Sequence, residues 1–226
     1  MLTESPAHDM TELDRHAALR PFARTAPAHR RQYSGIPLSF GRNAEIYAEG
    51  EKARHVYKVF SGVVRVSKLL PDGRRQISAF HFPGDTFGFE ADDIHSASAE
   101  AVVPAKVVPL NWQSLPSRDM PESLLRELFA LTVIGLRRSQ EHLLLLGRKN
   151  ALERVAAFLL EMASRAGDAS VVDLAMPRHD IADYLGLTLE TVSRTFAELK
   201  QLGAVKLESA RRVHLISIGR LRAMAA

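Results

Sequence analysis

The chain has 226 residues, 46% hydrophobic and 25% charged, with a net charge of +4, the make-up of a globular protein long enough for one large domain or two ordinary ones. It contains no cysteine, which excludes disulfides, thiolate metal sites, cysteine-held iron–sulfur clusters and thiol switches. No apolar run approaches the roughly 20 residues of a membrane helix, and acids and prolines stand where a signal peptide would have an apolar core, so no membrane association and a cytoplasmic location are expected.

Residues 1–30 lack sustained periodicity and carry Pro6, Pro21 and Pro27. They read as a loosely packed leader with a short helix around Met10–Arg20. From 31 to 120 the pattern changes. Short runs rich in Val, Ile, Phe and Tyr alternate with turn signals at Glu49-Gly50, Ser61-Gly62, Asp72-Gly73 and Pro83-Gly84-Asp85. Turns about ten residues apart indicate an antiparallel β-sandwich or barrel. Asp72-Gly73, between Val63–Leu70 and Arg74–Phe82, marks a hairpin, because glycine accepts the positive φ of such turns.

Residues 121–147 read as one long helix opened by Pro121. Leu124, Leu128, Leu131, Gly135, Arg138, His142 and Leu145 recur at alternating 4- and 3-residue steps, and Leu125, Phe129, Leu136, Leu143 and Leu146 form a second stripe beside them. A helix apolar on two sides needs two partners. One is the β-domain; the other is the same helix of a second subunit, and the first stripe is assigned to that seam. Arg148-Lys149-Asn150 breaks the pattern. There Asn150 is a candidate N-cap for an amphipathic helix over Ala151–Arg165, and a hinge begins the last domain, 148–226. This domain carries 12 basic against 9 acidic residues, a net +3 of the total +4.

The segment Pro177–Val205 carries the strongest signal. Ile181, Ala182 and Leu185 give a first short helix its inner face, Gly186 permits a tight turn, and Thr188 caps a second helix whose Val192, Phe196 and Leu199 point inward. That is a helix-turn-helix, whose second helix enters the major groove of double-stranded DNA. Its outward residues are Glu190, Thr191, Ser193 and Arg194. Glu190 and Arg194 share one face, where Arg suits guanine O6 and N7 and Glu suits cytosine N4. The alternative is a surface ion pair worth roughly 0.3–0.5 kcal/mol. Arg178, Thr188 and Leu189 are counted with the DNA-contacting set. Val205–Glu208 and Arg212–Ile216 alternate as strands of a wing around Ser209-Ala210-Arg211, where Arg211 and Arg212 would neutralise phosphates.

Taken together, the sequence resembles the CRP/FNR superfamily of bacterial transcription regulators over about residues 35–220, most closely its FNR/FixK branch. The marks are Glu49-Gly50, Val63-Val64-Arg65, Asp72-Gly73, Phe80-His81, Pro83-Gly84-Asp85, Phe87-Gly88-Phe89-Glu90 and, above all, Leu189-Glu190-Thr191-Val192-Ser193-Arg194. The resemblance implies an α+β fold: an N-terminal antiparallel β-roll of cupin-like jelly-roll type, a long dimerisation helix and a C-terminal winged helix-turn-helix. It also implies a homodimer on a TTGA-N6-TCAA-type palindrome and contact with RNA polymerase through Asp72, Gly73 and Arg74. Cyclic-nucleotide-binding relatives carry a phosphate-binding arginine. Here Gly88-Phe89-Glu90 runs into Ala91-Asp92-Asp93-Ile94-His95-Ser96-Ala97, with two added acids and no arginine. The nine histidines form no H-x-x-x-H cluster. The reading is therefore a FixK-like activator, needing no cofactor, effector or metal, of genes for low-oxygen metabolism and nitrogen fixation. The competing reading is a regulator whose β-roll binds an unidentified effector or haem. No metal-ligand set, nucleophile elbow or phosphate loop suggests an enzyme.

Overall fold

The computed structural model describes residues 36–111, 122–167 and 169–225. The expected leader helix at Met10–Arg20, Pro121 and the side chain of Leu124 lie outside what is described. Eight strands come first: β1 (Leu38–Phe40), β2 (Glu45–Tyr47), β3 (His55–Ser61), β4 (Val64–Leu69), β5 (Arg75–His81), β6 (Thr86–Phe87), β7 (Ser98–Ala101) and β8 (Ala105–Asn111). They form two antiparallel sheets, ordered β1-β8-β3-β6 and β2-β7-β4-β5. Alternation places Val59, Val107 and Phe87 of one sheet against Val64, Ala99 and Ala101 of the other. Tyr47 crosses between them, its ring 5.6 Å from that of Tyr57. On β4, Val64 points into this layer while Arg65, buried as well, points out of its far side.

The turns separate by what surrounds them. Gly62 holds φ +82°, and a Cβ there would lie 2.6 Å from Ala105 Cα. Gly73, at the β4–β5 tip, holds φ +83° in open space.

Helix α1 (Glu122–Arg148) follows, then α2 (Ala151–Arg165), β9 (Val171–Asp173), α3 (Arg178–Leu185), α4 (Leu189–Gln201), β10 (Val205–Leu207), β11 (Arg212–Leu215) and α5 (Ile218–Ala225). Asn150 caps α2 through a reciprocal box with Glu153: its Oδ1 accepts from Glu153 N at 3.1 Å, and Glu153 Oε2 accepts from Asn150 N at 3.0 Å. The wing hairpin gains a third strand in the order β10-β11-β9. The second core is not confined to the C-terminal elements. Ile77, Phe80 and Phe82 of the roll join Phe158, Leu159, Tyr184, Phe196 and Leu221 in one cluster, with the Phe80 and Tyr184 rings 5.1 Å apart.

This packing gives several residues of the first α1 stripe partners within their own chain. Leu128 is buried, Arg138 Nη1 donates to Asp85 of the roll at 3.0 Å, His142 stacks on Tyr184 at 4.2 Å, and Leu145 packs on the C-terminal core. Leu131, Gly135 and, from the second stripe, Leu136 all line the cleft between α1 and the roll, with open space around Gly135. Leu128, Arg138, His142 and Leu145 of the expected seam thus contact their own chain. The face left bare carries Leu125, Phe129, Val133, Leu136 and Leu143. Two adjacent apolar stripes were readable; which of them the roll claims depends on Asp85 and Tyr184, distant in sequence.

Gly73→Ala is expected to cost roughly 1–2 kcal/mol for the left-handed backbone alone. Gly62→Ala adds a backbone collision and is expected to cost about 3 kcal/mol or more. Urea unfolding of the two variants side by side checks the order.

Candidate nucleic-acid interface

The two short helices form the expected unit. Ile181, Ala182 and Leu185 are buried, and Gly186 takes the left-handed turn at φ +61°. Thr188 Oγ1 accepts from Thr191 N at 3.1 Å, capping α4. Val192, Phe196 and Leu199 then anchor that helix inward.

Its opposite face is open. Glu190 and Arg194 side chains are 70% and 79% exposed and joined as an i,i+4 ion pair. Ser193 is exposed, its hydroxyl donating to Leu189 O at 2.9 Å, and Leu189 itself is nearly half exposed. Thr191 is turned aside, its hydroxyl 2.8 Å from that of Thr188. The pair that suits base edges thus exists in the free chain as the surface ion pair, and reading bases requires it to open or share.

The flanking arginines differ. Arg211 follows the wing tip, its amide fixed by Ser209 Oγ at 3.2 Å. Arg212 lies 3.5 Å from Glu208 and 3.8 Å from Asp173, so its charge is already met. Glu208 is also bonded to His214 at 2.6 Å, which holds its carboxyl below the usual range. Arg178 lies over the Phe196 ring, 3.1 Å from its centroid, with Nη1 lacking a hydrogen-bond partner among the described residues. Burial pushes it down to about 10. Reaching a phosphate would take it off that ring. At the β4–β5 tip, Asp72 and Arg74 are exposed and close on each other at 2.7 Å, with Gly73 between them.

Sequence reasoning missed what holds this surface in place. Arg154, on α2, donates to Leu146 O and Lys149 O at the end of α1 and to Leu185 O beside the turn, each at 2.8 Å. One side chain therefore satisfies carbonyls at two helix ends and fastens the hinge to the turn. Its only signal was a charge directly before the buried pair Val155-Ala156. On the other side, Asp180 of α3 accepts from Arg65 Nη1 at 2.8 Å and Arg75 Nη2 at 2.5 Å, and Arg75 Nε donates to Asp183 at 2.8 Å. His179, Asp180 and Asp183 come together with metal-ligand spacing, yet their carboxylates already hold two guanidinium groups.

A cleft of about 890 Å³ lies between roll and α1, lined among others by His81, Asp85, Thr86, Glu90, Arg138 and His142. It does not fit a cyclic phosphate. Arg138 and Arg165, the arginines lining it, are both spent on Asp85 at 3.0 Å. Glu90 is turned into its own loop by accepting from Ser96 N at 3.0 Å.

A Crp-like helix-turn-helix domain matches residues 153–224, and a cyclic nucleotide-binding domain matches residues 37–117. The chain is 47% identical over 224 residues to the nitrogen fixation regulation protein FixK of Azorhizobium caulinodans, covering 96% of this chain and 89% of that one. It is 43% identical to the protein of the same name from Rhizobium meliloti, covering 80% and 82%. The solved structure of FixK2 from Bradyrhizobium japonicum superposes with a TM-score of 0.80 at 46% identity, over 85% of this chain and 98% of that one.

Burial sets a pH dependence at the cleft. It pushes the His81 imidazole, stacked on Phe87, down to about 4. The unfolded chain then binds more protons than the folded one between about pH 4 and 6.5, so stability falls as pH drops through that window. Burial alone would raise Asp85, but Arg165, the Phe82 N–H and Arg138 hold it below the usual carboxylate range, and its contribution is lost only at more acid pH. Replacing His81 by Gln should flatten the change in urea midpoint between pH 7 and 4.5; an undiminished slope would remove His81 as its source.

Proposed function

Because the chain belongs to the CRP/FNR family of DNA-binding transcription regulators, we propose that it acts as a homodimeric, effector-independent activator reading a TTGA-N6-TCAA-type palindrome. The observation that carries the reading is the uncovered face of α4. Leu189, Glu190, Ser193 and Arg194 stand exposed at the start of a capped helix whose other side is anchored. A docked recognition helix presents this end to base edges. The likeness to the FixK regulators supports control of nitrogen fixation and low-oxygen genes. Arg211 and Arg212 at the wing would hold phosphates, and Thr188 and Thr191 would contribute chiefly by fixing the helix start.

Effector independence draws support from the cleft, where no free guanidinium is left for an anion among the described residues. The exposed tip Asp72-Gly73-Arg74 would meet RNA polymerase, since nothing among the described residues covers it. The second subunit would pair along Leu125, Phe129, Leu136 and Leu143, which recur at 4- and 7-residue steps on the bare side of α1.

Apo protein is expected to shift a TTGA-N6-TCAA duplex, and not a scrambled one, without added ligand. Arg194→Ala should weaken that binding by roughly 1–3 kcal/mol and relax the preference at the guanine. Binding that appears only on adding a small molecule would overturn effector independence, and intact specificity in Arg194→Ala would remove Arg194 from base reading. Phe129→Asp, at a residue 70% exposed and outside the cleft lining, should halve the mass in solution; light scattering that still finds a dimer places the seam elsewhere.

A further inference from the structure

The roll is joined to the helices that follow it by two charge clusters of opposite polarity, of which one reaches the helix-turn-helix. In one, the roll supplies the cations: Arg65 and Arg75 reach Asp180 and Asp183 of α3. In the other it supplies the anion: Asp85 receives Arg138 of α1 and Arg165 of α2. The first cluster is the more enclosed. Asp180 is 2% and Arg65 7% exposed, and Arg65 is held from behind by Glu100 of β7 at 3.0 Å. Charges this deep are tolerated only in fixed geometry, because separating them strands an unpaired charge away from water. Beside them, Gln76 Nε2 donates to Tyr184 O at 3.4 Å and Phe80 packs on the Tyr184 ring.

We propose that Arg65, Arg75, Asp180 and Asp183 are positioning residues for DNA reading: they hold the helix-turn-helix on the roll in one orientation. The inference rests on the DNA-binding reading above. It is a positioning contact and not a mask, since α3 is gripped while the outward face of α4 stays exposed. Arg75 lies directly after the β4–β5 tip, so the same contact fixes that tip relative to the recognition helix. These four side chains thereby set the geometry of two outward surfaces at once.

The test uses the full chain. With no cysteine present, Arg42→Cys and Gln201→Cys, both exposed, can carry a pair of spin labels reporting the roll-to-α4 distance, diluted with unlabelled chain. The unaltered chain should give one narrow distance. Arg75→Glu should broaden it and weaken binding to the TTGA-N6-TCAA duplex by about tenfold, as expected if the competent orientation falls to about a tenth of the population. Adding Asp183→Arg to Arg75→Glu should restore both the narrow distance and the affinity. If circular dichroism shows Arg75→Glu unfolded, Arg75→Gln carries the same test with a smaller broadening. A narrow distance in the single variant, unchanged or increased affinity despite broadening, or no recovery in the charge swap overturns the proposal. If the unaltered chain fails to prefer the palindrome over a scrambled duplex, the site assignment falls instead, and the distance arm alone still decides the clamp.

Discussion

Asp180 sits at the junction of everything this chain does. Its carboxylate has almost no access to water, and its two oxygens are claimed by two arginines that arrive from more than 100 residues earlier. Buried ion pairs add little net stability, because desolvation offsets most of the Coulomb attraction. What they supply is geometry. An apolar contact such as Phe80 on Tyr184 tolerates sliding, whereas a carboxylate holding two guanidinium groups does not. The apolar cluster glues the two halves together, and the charges choose how they meet.

Arg154 does for the C-terminal half what Asp180 does for the junction. The end of α1, the hinge and the turn before α4 each leave carbonyls without helical partners. A single guanidinium collects them. The end of the long helix, the hinge and the turn are thereby tied to one side chain. Asn150 and Glu153 start α2 on that hinge through their capping box.

Legibility in the sequence followed range. The helix-turn-helix was readable because its cap, turn glycine and apolar spacing lie within about 25 residues and each has a local cause. The roll's hairpin at Asp72-Gly73 was readable for the same reason. On α1 both stripes were visible, but the intrachain partners of Arg138, His142 and Leu145 were not, because these residues find them only after the chain has folded back. The Arg65–Asp180 contact left no trace: an arginine in a strand looks like an exposed residue until a helix from elsewhere covers it. Arg178 read as an outward cation and instead covers Phe196, since helix phase alone does not say which ring waits beneath. The third strand of the wing sheet, β9, is only three residues long and gave no period to detect.

The closed Glu190–Arg194 pair has a consequence for how the protein finds its target. With two acids and two bases along it, α4 carries no net charge, so it adds little to the long-range pull of the duplex. Attraction and sliding along arbitrary sequence depend on cations elsewhere on the domain. On the proposed reading, the recognition helix would skim the groove with its reading groups folded on each other. Exchanging an internal partner for external ones would become favourable only where guanine and cytosine edges stand opposite. Scanning would then be fast, with commitment reserved for the right letters.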